Sequence, residues 1–366
     1  MVKEQKIIGL SPDLIIHPGE TLAEVLEDRG MSQKELAIRT GMTEKHISTV
    51  VKCQKNISVA FARKLEYALG IDAKFWINLQ SNYESELLEF EELNNITGDE
   101  LAILKPLKEV VDYFVNRKFL EENANEAEKI LTLRKLLAVS NLTAIPNITY
   151  NAAYRAQIST NVKVDTYVLY AWQRICELET SAIEISEELN IDLLKNYIPE
   201  IKSLMFENVN VVREKLINIF SKCGIAFNIV KNFKGAPVQG FIKKTDGEKL
   251  ILCMTLRQAR ADIFWFTLFH EIGHIINGDV QQRFVDFKST QSDTEAKADS
   301  FASETLMNST DYKSFVTNND YSLAAISDFA ENQNVRDYIV IGRLQSDEII
   351  GWDVYRDRIV QYKWAQ

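Results

Sequence analysis

Histidine is scarce in this chain, with four in 366 residues. Cysteine is equally rare, at Cys53, Cys176, Cys223 and Cys253. No two of them form a C-x-x-C pair, which excludes a thioredoxin motif and a thiolate zinc ribbon. At this density a disulfide framework is excluded as well, and the four read as small hydrophobes. Long apolar runs are missing. The longest candidate, Ala261 to Phe269, contains Asp262 and falls far short of the roughly 20 residues that span a bilayer. The first apolar stretch is flanked by Lys3, Glu4 and Lys6 and broken by Asp13, so it is not a secretory leader. These absences predict a cytoplasmic protein with no membrane partner. Internal repeats and low-complexity tracts are also lacking. Acids outnumber Lys plus Arg by 52 to 42, for a net charge of -10, which excludes a uniformly basic coat for nucleic acid.

The charge is unevenly spread. Residues 1–84 hold eleven cations and eleven anions, so the whole of the -10 lies beyond residue 84. This first segment reads as short helices broken at Gly30-Met31-Ser32, Gly41-Met42-Thr43 and Gly70-Ile71-Asp72. Residues 85–220 lack glycine except Gly98, and apolar residues recur there at helical spacing, punctuated by Pro106, Pro146 and Pro199. After Gly224 the pattern changes. Ile225 to Val230, Val238 to Ile242 and Leu250 to Cys253 are short, apolar and separated by turn chemistry, which predicts a small antiparallel sheet. Helical spacing returns from Arg257 to Asn277 and from Asp293 to Met307. The expected architecture is mainly α with that small sheet, α+β in its C-terminal part. Three domains follow: a helix-turn-helix bundle over 1–84, a helical linker over 85–220 and a third domain over 221–366.

Against the low histidine count, two histidines stand four apart. His270-Glu271-Ile272-Gly273-His274 is an H-E-x-x-H inside a helical stretch. Residues four apart share a helix face, so both imidazoles can reach one Zn²⁺ ion. Glu271 can then serve as the general base on a water in the open position. A catalytic zinc takes a third protein ligand. Asp279, Asp286, Asp293, Glu295, Asp299 and Glu304 are the downstream candidates. Glu295 and Asp299 again lie four apart on a predicted helix. The expectation is Glu295 as ligand and Asp299 as the carboxylate that fixes a histidine from behind.

The run Glu295-Ala-Lys-Ala298-Asp299-Ser-Phe301-Ala302, followed by Leu306-Met307, resembles the signature of the ImmA/IrrE metallopeptidases. The lead-in Ala261 to Phe269 is similar too, and the resemblance covers about Cys223 to Leu344. It implies a zincin-like domain in which that glutamate completes the zinc site. It also implies endopeptidase activity on helix-turn-helix repressors. A donor for the tetrahedral oxyanion is not singled out. Arg257, Arg260, Tyr312 and Tyr321 remain open.

In the first segment Gln33, Ala37, Gly41, Ile47 and Ser48 have helix-turn-helix spacing. Ala37 lets two helices cross closely, Gly41 supplies a left-handed turn, and Thr43 can cap the second helix. That helix would enter the major groove with Glu44, Lys45, Ser48, Thr49 and Lys52 outward, while Gln33 holds a phosphate. The runs His17 to Leu22, Met31 to Ala37, Thr43 to Ser48, Leu69 to Ile71 and Phe75 to Leu79 resemble HigA-type antitoxins of the XRE helix-turn-helix family. The resemblance covers about His17 to Tyr83, and it departs at Cys53, where members commonly carry glycine. It implies a homodimer on double-stranded operator DNA and, in many members, neutralisation of a toxin.

Together the motifs predict a DNA-binding regulator with a zinc-dependent endopeptidase domain that cuts itself or a partner repressor or antitoxin. The alternative is a non-enzymatic antitoxin-like repressor that neutralises a toxin by binding, its zinc structural or sensory.

Overall fold

The computed structural model describes residues 15–151, 164–244, 249–278 and 291–363. The chain forms two compact units. One is built from residues up to Leu101 together with Asn125–Leu131, the other from Ala102–Ala124 and Thr132 onward.

The first unit opens with α1 (Pro18–Asp28), α2 (Gln33–Thr40), α3 (Glu44–Val51), α4 (Val59–Leu69) and α5 (Ala73–Asn94), followed by the short α6 (Gly98–Ile103). Each of the first five starts at a side-chain cap: His17, Ser32, Thr43, Ser58 and Asp72. Such a cap satisfies amide groups that have no partner inside the helix. Gly41 and Gly70 end α2 and α4 in the left-handed conformation, as expected of those positions. Leu22, Leu36, Ile47, Phe61, Leu65 and Trp76 are among the residues that fill the core. Gln80 ties α5 to this bundle, accepting from the Ile57 amide at 2.8 Å.

The second unit continues through α7 (Lys108–Asn116), α8 (Glu126–Leu137, begun in the first unit), α9 (Ile145–Asn151), α10 (Thr166–Ser181), α11 (Ile191–Ser203) and α12 (Val209–Lys222). Then come β1 (Ile225–Ile229), β2 (Gly240–Lys244) and β3 (Leu250–Met254). The chain closes with α13 (Ala261–Ile276), α14 (Gln291–Leu306), α15 (Ser309–Asn318), α16 (Leu323–Asn332) and α17 (Asp337–Ser346). Pro199 lies inside α11 instead of ending a helix.

The fold is mainly α with one small sheet, but that sheet is mixed and not wholly antiparallel. The strand order is β1-β3-β2, with β2 antiparallel and β1 parallel to β3. The cause is the connection between Ile229 and Gly240. It is far longer than a two-residue hairpin, so β2 does not fold back on β1 and β3 inserts between them. Residues alternate across the sheet. Ile225, Phe227, Ile229, Ile242, Leu252 and Met254 enter one core with α12, α13 and α17. On the other face Phe241 meets Trp172 edge-on and Cys253 approaches the Cys176 carbonyl, both partners on α10. The same core includes Leu194 and Ile201 of α11, so it begins well upstream of residue 221.

Candidate functional site

Helix α13 starts at Ala261, four residues later than expected, because Ala259 takes a left-handed φ of 55° and Arg260 is the cap residue. From there the helix is buried along almost its whole length. His270 and His274 are each 1% exposed, and Glu271 is 4% exposed. Helix α14 packs along α13, and the close approach is made at Gly273. A Cβ there would stand 3.1 Å from both Ala298 Cα and Phe301 Cδ1. Glycine opposite alanine lets the two backbones approach and brings the α14 carboxylates to the histidines.

The Nε2 atoms of His270 and His274 lie 3.0 Å apart. Glu295 Oε2 sits 3.2 Å from the first and 3.4 Å from the second. Bonds of about 2.0–2.1 Å around a tetrahedral zinc give ligand–ligand edges of about 3.3 Å. The three atoms therefore match one face of a zinc tetrahedron, and two nitrogens with one carboxylate oxygen are a zinc-type donor set. Asp299 Oδ1 lies 2.7 Å from His270 Nδ1, the ring nitrogen turned away from that face. The acidic neighbours make this point favourable for positive charge, a proton or a metal ion. Burial opposes a charge on His270, yet its hydrogen bonds to Asp299 and Glu295 and the nearby charge of Glu271 raise its pKa to about 9. Burial would raise Glu295, but hydrogen bonds from both histidines hold its carboxyl well below the usual range.

The other downstream carboxylates go elsewhere or cannot be placed. Glu304 accepts from Ser309 and Asn308 at the start of α15. Asp293 is not in the cluster. Asp279 and Asp286 lie outside the described residues. The four oxyanion candidates are engaged. Tyr312 donates to Asp347, Tyr321 to the Val316 carbonyl, and Arg260 to Asp262 and Gln345. Arg257 donates to the Pro237 carbonyl at 3.2 Å, and it alone of the four bonds to the segment leading into β2.

One site residue escaped sequence reasoning. Gly240, at the start of β2, faces Glu271, and a Cβ there would stand 2.8 Å from both Cγ and Cδ of that side chain. The available signal was an isolated glycine in a strand, which often marks a close approach.

In the first unit α2 and α3 form the helix-turn-helix. Thr43 accepts from the His46 amide, and Ile47 and Val50 point inward. Thr43, Lys45 and Lys52 are exposed, while Gln33, Ser48 and Thr49 are half-buried. The Thr49 hydroxyl donates to the His46 carbonyl at 2.8 Å, so it is partly spoken for. His46 faces Lys55, with its Nδ1 3.1 Å from Nζ. Burial, then the charges of Lys55 and Lys64, lower its pKa. Cys53 has a φ of 59°, the left-handed region that glycine adopts without strain. No helix among the described residues is long and apolar enough to cross a membrane.

The IrrE N-terminal-like domain, Peptidase_M78, matches residues 256–335, a span that holds both histidines and Glu295. The virulence-associated protein I of Dichelobacter nodosus is 35% identical over 75 residues, 20% of this chain and 69% of that protein. Among solved structures, an addiction module antidote protein of the HigA family from Coxiella burnetii is 28% identical, with a TM-score of 0.21 over 22% of this chain and 95% of that one. The antitoxin HigA of Pseudomonas aeruginosa, solved with the higBA promoter, is 30% identical, with a TM-score of 0.20 over 23% and 96%. The chain thus belongs to the family of virulence-associated protein I, joining a helix-turn-helix part to a C-terminal stretch that matches the Peptidase_M78 domain.

Proposed function

We propose that this protein is a DNA-binding transcriptional regulator whose C-terminal domain is a zinc-dependent endopeptidase, cutting itself or a partner repressor or antitoxin. The observation that carries the reading is the triangle of His270, His274 and Glu295 atoms, at 3.0, 3.2 and 3.4 Å, with Glu271 next to it in sequence. The Peptidase_M78 match supports the peptidase half. When bound, zinc supplies Lewis acidity, acidifying a water to a pKa of roughly 7 and polarising a peptide carbonyl. His270, His274 and Glu295 would hold the ion, and Asp299 would orient His270 through Nδ1. Glu271 takes the proton of the attacking water on its carboxylate and returns it to the leaving amide nitrogen. Its burial beside Gly240 keeps bulk water from competing for that proton.

On the first unit, exposed Lys45 on α3 and Lys52 at its C-terminal cap contact phosphates and base edges, with Thr43, Ser48, Thr49 and Gln33 completing the contacts. With so few cations the affinity of one copy is modest, and a homodimer on a two-fold operator raises it.

The test incubates candidate repressors and antitoxins with the wild-type protein and with Glu271→Gln. Cleavage by the wild type alone supports the peptidase. Equal cleavage by both removes Glu271 from the catalytic role, and no cleavage by either, together with neutralisation of a toxin, favours the non-enzymatic antitoxin-like repressor. A gel shift on the upstream region of the protein's own gene, with Lys45→Ala and Lys52→Ala, tests DNA reading; no shift at low salt contradicts it.

A further inference from the structure

The second unit holds a cavity of about 920 Å³ at the end of β1 and beside the start of α13. That is near the top of the range of roughly 300–1,000 Å³ for small-molecule sites. Its lining includes four cations, Arg117, Arg213, Lys231 and Lys363, and no carboxylate. Arg117 is already paired, 3.0 Å from Glu179. The other three have no carboxylate partner among the described residues. Arg213 instead donates to Asn228 Oδ1 at 2.8 Å, and Asn228 is a buried residue of β1. This bond aims the guanidinium without neutralising it. Lys231 lies over the Phe233 ring, with Nζ 5.9 Å from its centroid. Three unneutralised cations around one concavity repel one another, and a bound anion removes that repulsion.

The rest of the lining is not what a bare inorganic anion needs. Tyr113, Phe264 and Tyr362 contribute aromatic surface, and the Asn116 and Asn210 amides offer paired donors and acceptors. Aromatic rings with amides suit a planar heterocycle, and arginine with lysines suits phosphate. We propose that this cavity binds a small organic phosphate carrying a planar ring, of the nucleoside-phosphate class. The ring lies against Tyr113, Phe264 and Tyr362, and the phosphate meets Arg213, Lys231 and Lys363. Phe264 belongs to the helix that carries His270, so the ligand touches the base of that helix. The proposal does not depend on peptidase activity.

The experiment is calorimetric titration of the full-length protein with AMP, ATP, adenosine and inorganic phosphate at low salt. A nucleotide is expected to bind, with adenosine and inorganic phosphate each at least about tenfold weaker. Raising the salt should weaken nucleotide binding. The double variant Arg213→Ala/Lys363→Ala should lower affinity at least about tenfold. Lys231→Ala, made separately, guards against a folding defect from loss of the Asn228 bond, and circular dichroism checks each variant. No binding of any nucleotide, or equal binding by wild type and correctly folded variants, overturns the proposal. Inorganic phosphate binding as tightly as AMP overturns the assignment of the aromatic wall.

Discussion

Gly240 and Glu271 face one another so closely that a Cβ on the glycine would stand 2.8 Å from both Cγ and Cδ of the glutamate. Glycine at that point of β2 is what leaves room for the buried carboxylate. Gly240→Ala should therefore displace Glu271 and lower stability by about 1–3 kcal/mol, the usual effect of overpacking. It should leave zinc content unchanged, since the three metal-facing atoms are elsewhere. Chemical denaturation and metal analysis of the variant check both parts.

In the proposed zinc site Asp299 would act through His270 and not on the metal directly. Removing its hydrogen bond to Nδ1, which measures 2.7 Å, frees the ring to rotate. Asp299→Ala should weaken zinc affinity by about 10–100-fold without abolishing binding. Competition against a chelator of known affinity measures this, and unchanged affinity would remove the residue from that role.

Gly273 sets the distance between α13 and α14. A methyl there meets the backbone and Phe301 at 3.1 Å and has to push the helices apart. Gly273→Ala is expected to cost about 0–2 kcal/mol, the contact strain being partly offset by the helix propensity of alanine, and to weaken zinc binding as Glu295 recedes. Thermal denaturation with and without zinc separates the two effects.

Cys53 sits at a φ of 59°. A non-glycine residue in that region carries a strain of order 1 kcal/mol. Cys53→Gly should relieve it and stabilise the first unit by about 0.5–1 kcal/mol, the added freedom of glycine in the unfolded chain offsetting part of the gain. Hydrogen exchange of peptides across 18–69 is the measurement, and slower exchange is expected.

His46 carries a pH dependence of definite sign. Burial and then the charges of Lys55 and Lys64 depress its folded pKa, so the unfolded chain binds the proton more readily. The contribution is full above the unfolded value of about 6.5 and is lost as the pH falls below it. The ring is only partly buried, so the effect is on the order of tenths of a kcal/mol. His46→Gln should flatten it in the same exchange experiment run between pH 5 and 8.

How much of this was legible in the sequence follows from the range of each interaction. The His270/His274 pair and the Glu295/Asp299 pair were readable because four-residue spacing fixes which side chains share a helix face. That one face meets the other depends on packing at Gly273 and Ala298, which spacing alone does not report; the choice of Glu295 rested on the need for a third ligand, and the family resemblance agreed with it. The cap at Thr43 and the left-handed Gly41 were local, and they appear where expected. The parallel pairing of β1 with β3 was not legible, since turn chemistry suggests hairpins and says nothing of which strand inserts between the others. Gly240 was missed for the same reason: its partner is 31 residues away, on another element.

In the proposed function α13 and α14 together hold one zinc ion through His270, His274 and Glu295. Metal analysis of purified protein, wild type beside Glu295→Ala, tests it most directly. About one zinc per chain is expected in the wild type, with a clear loss in the variant. Equal zinc in both, or a wild type that takes up none when zinc is supplied, would contradict it.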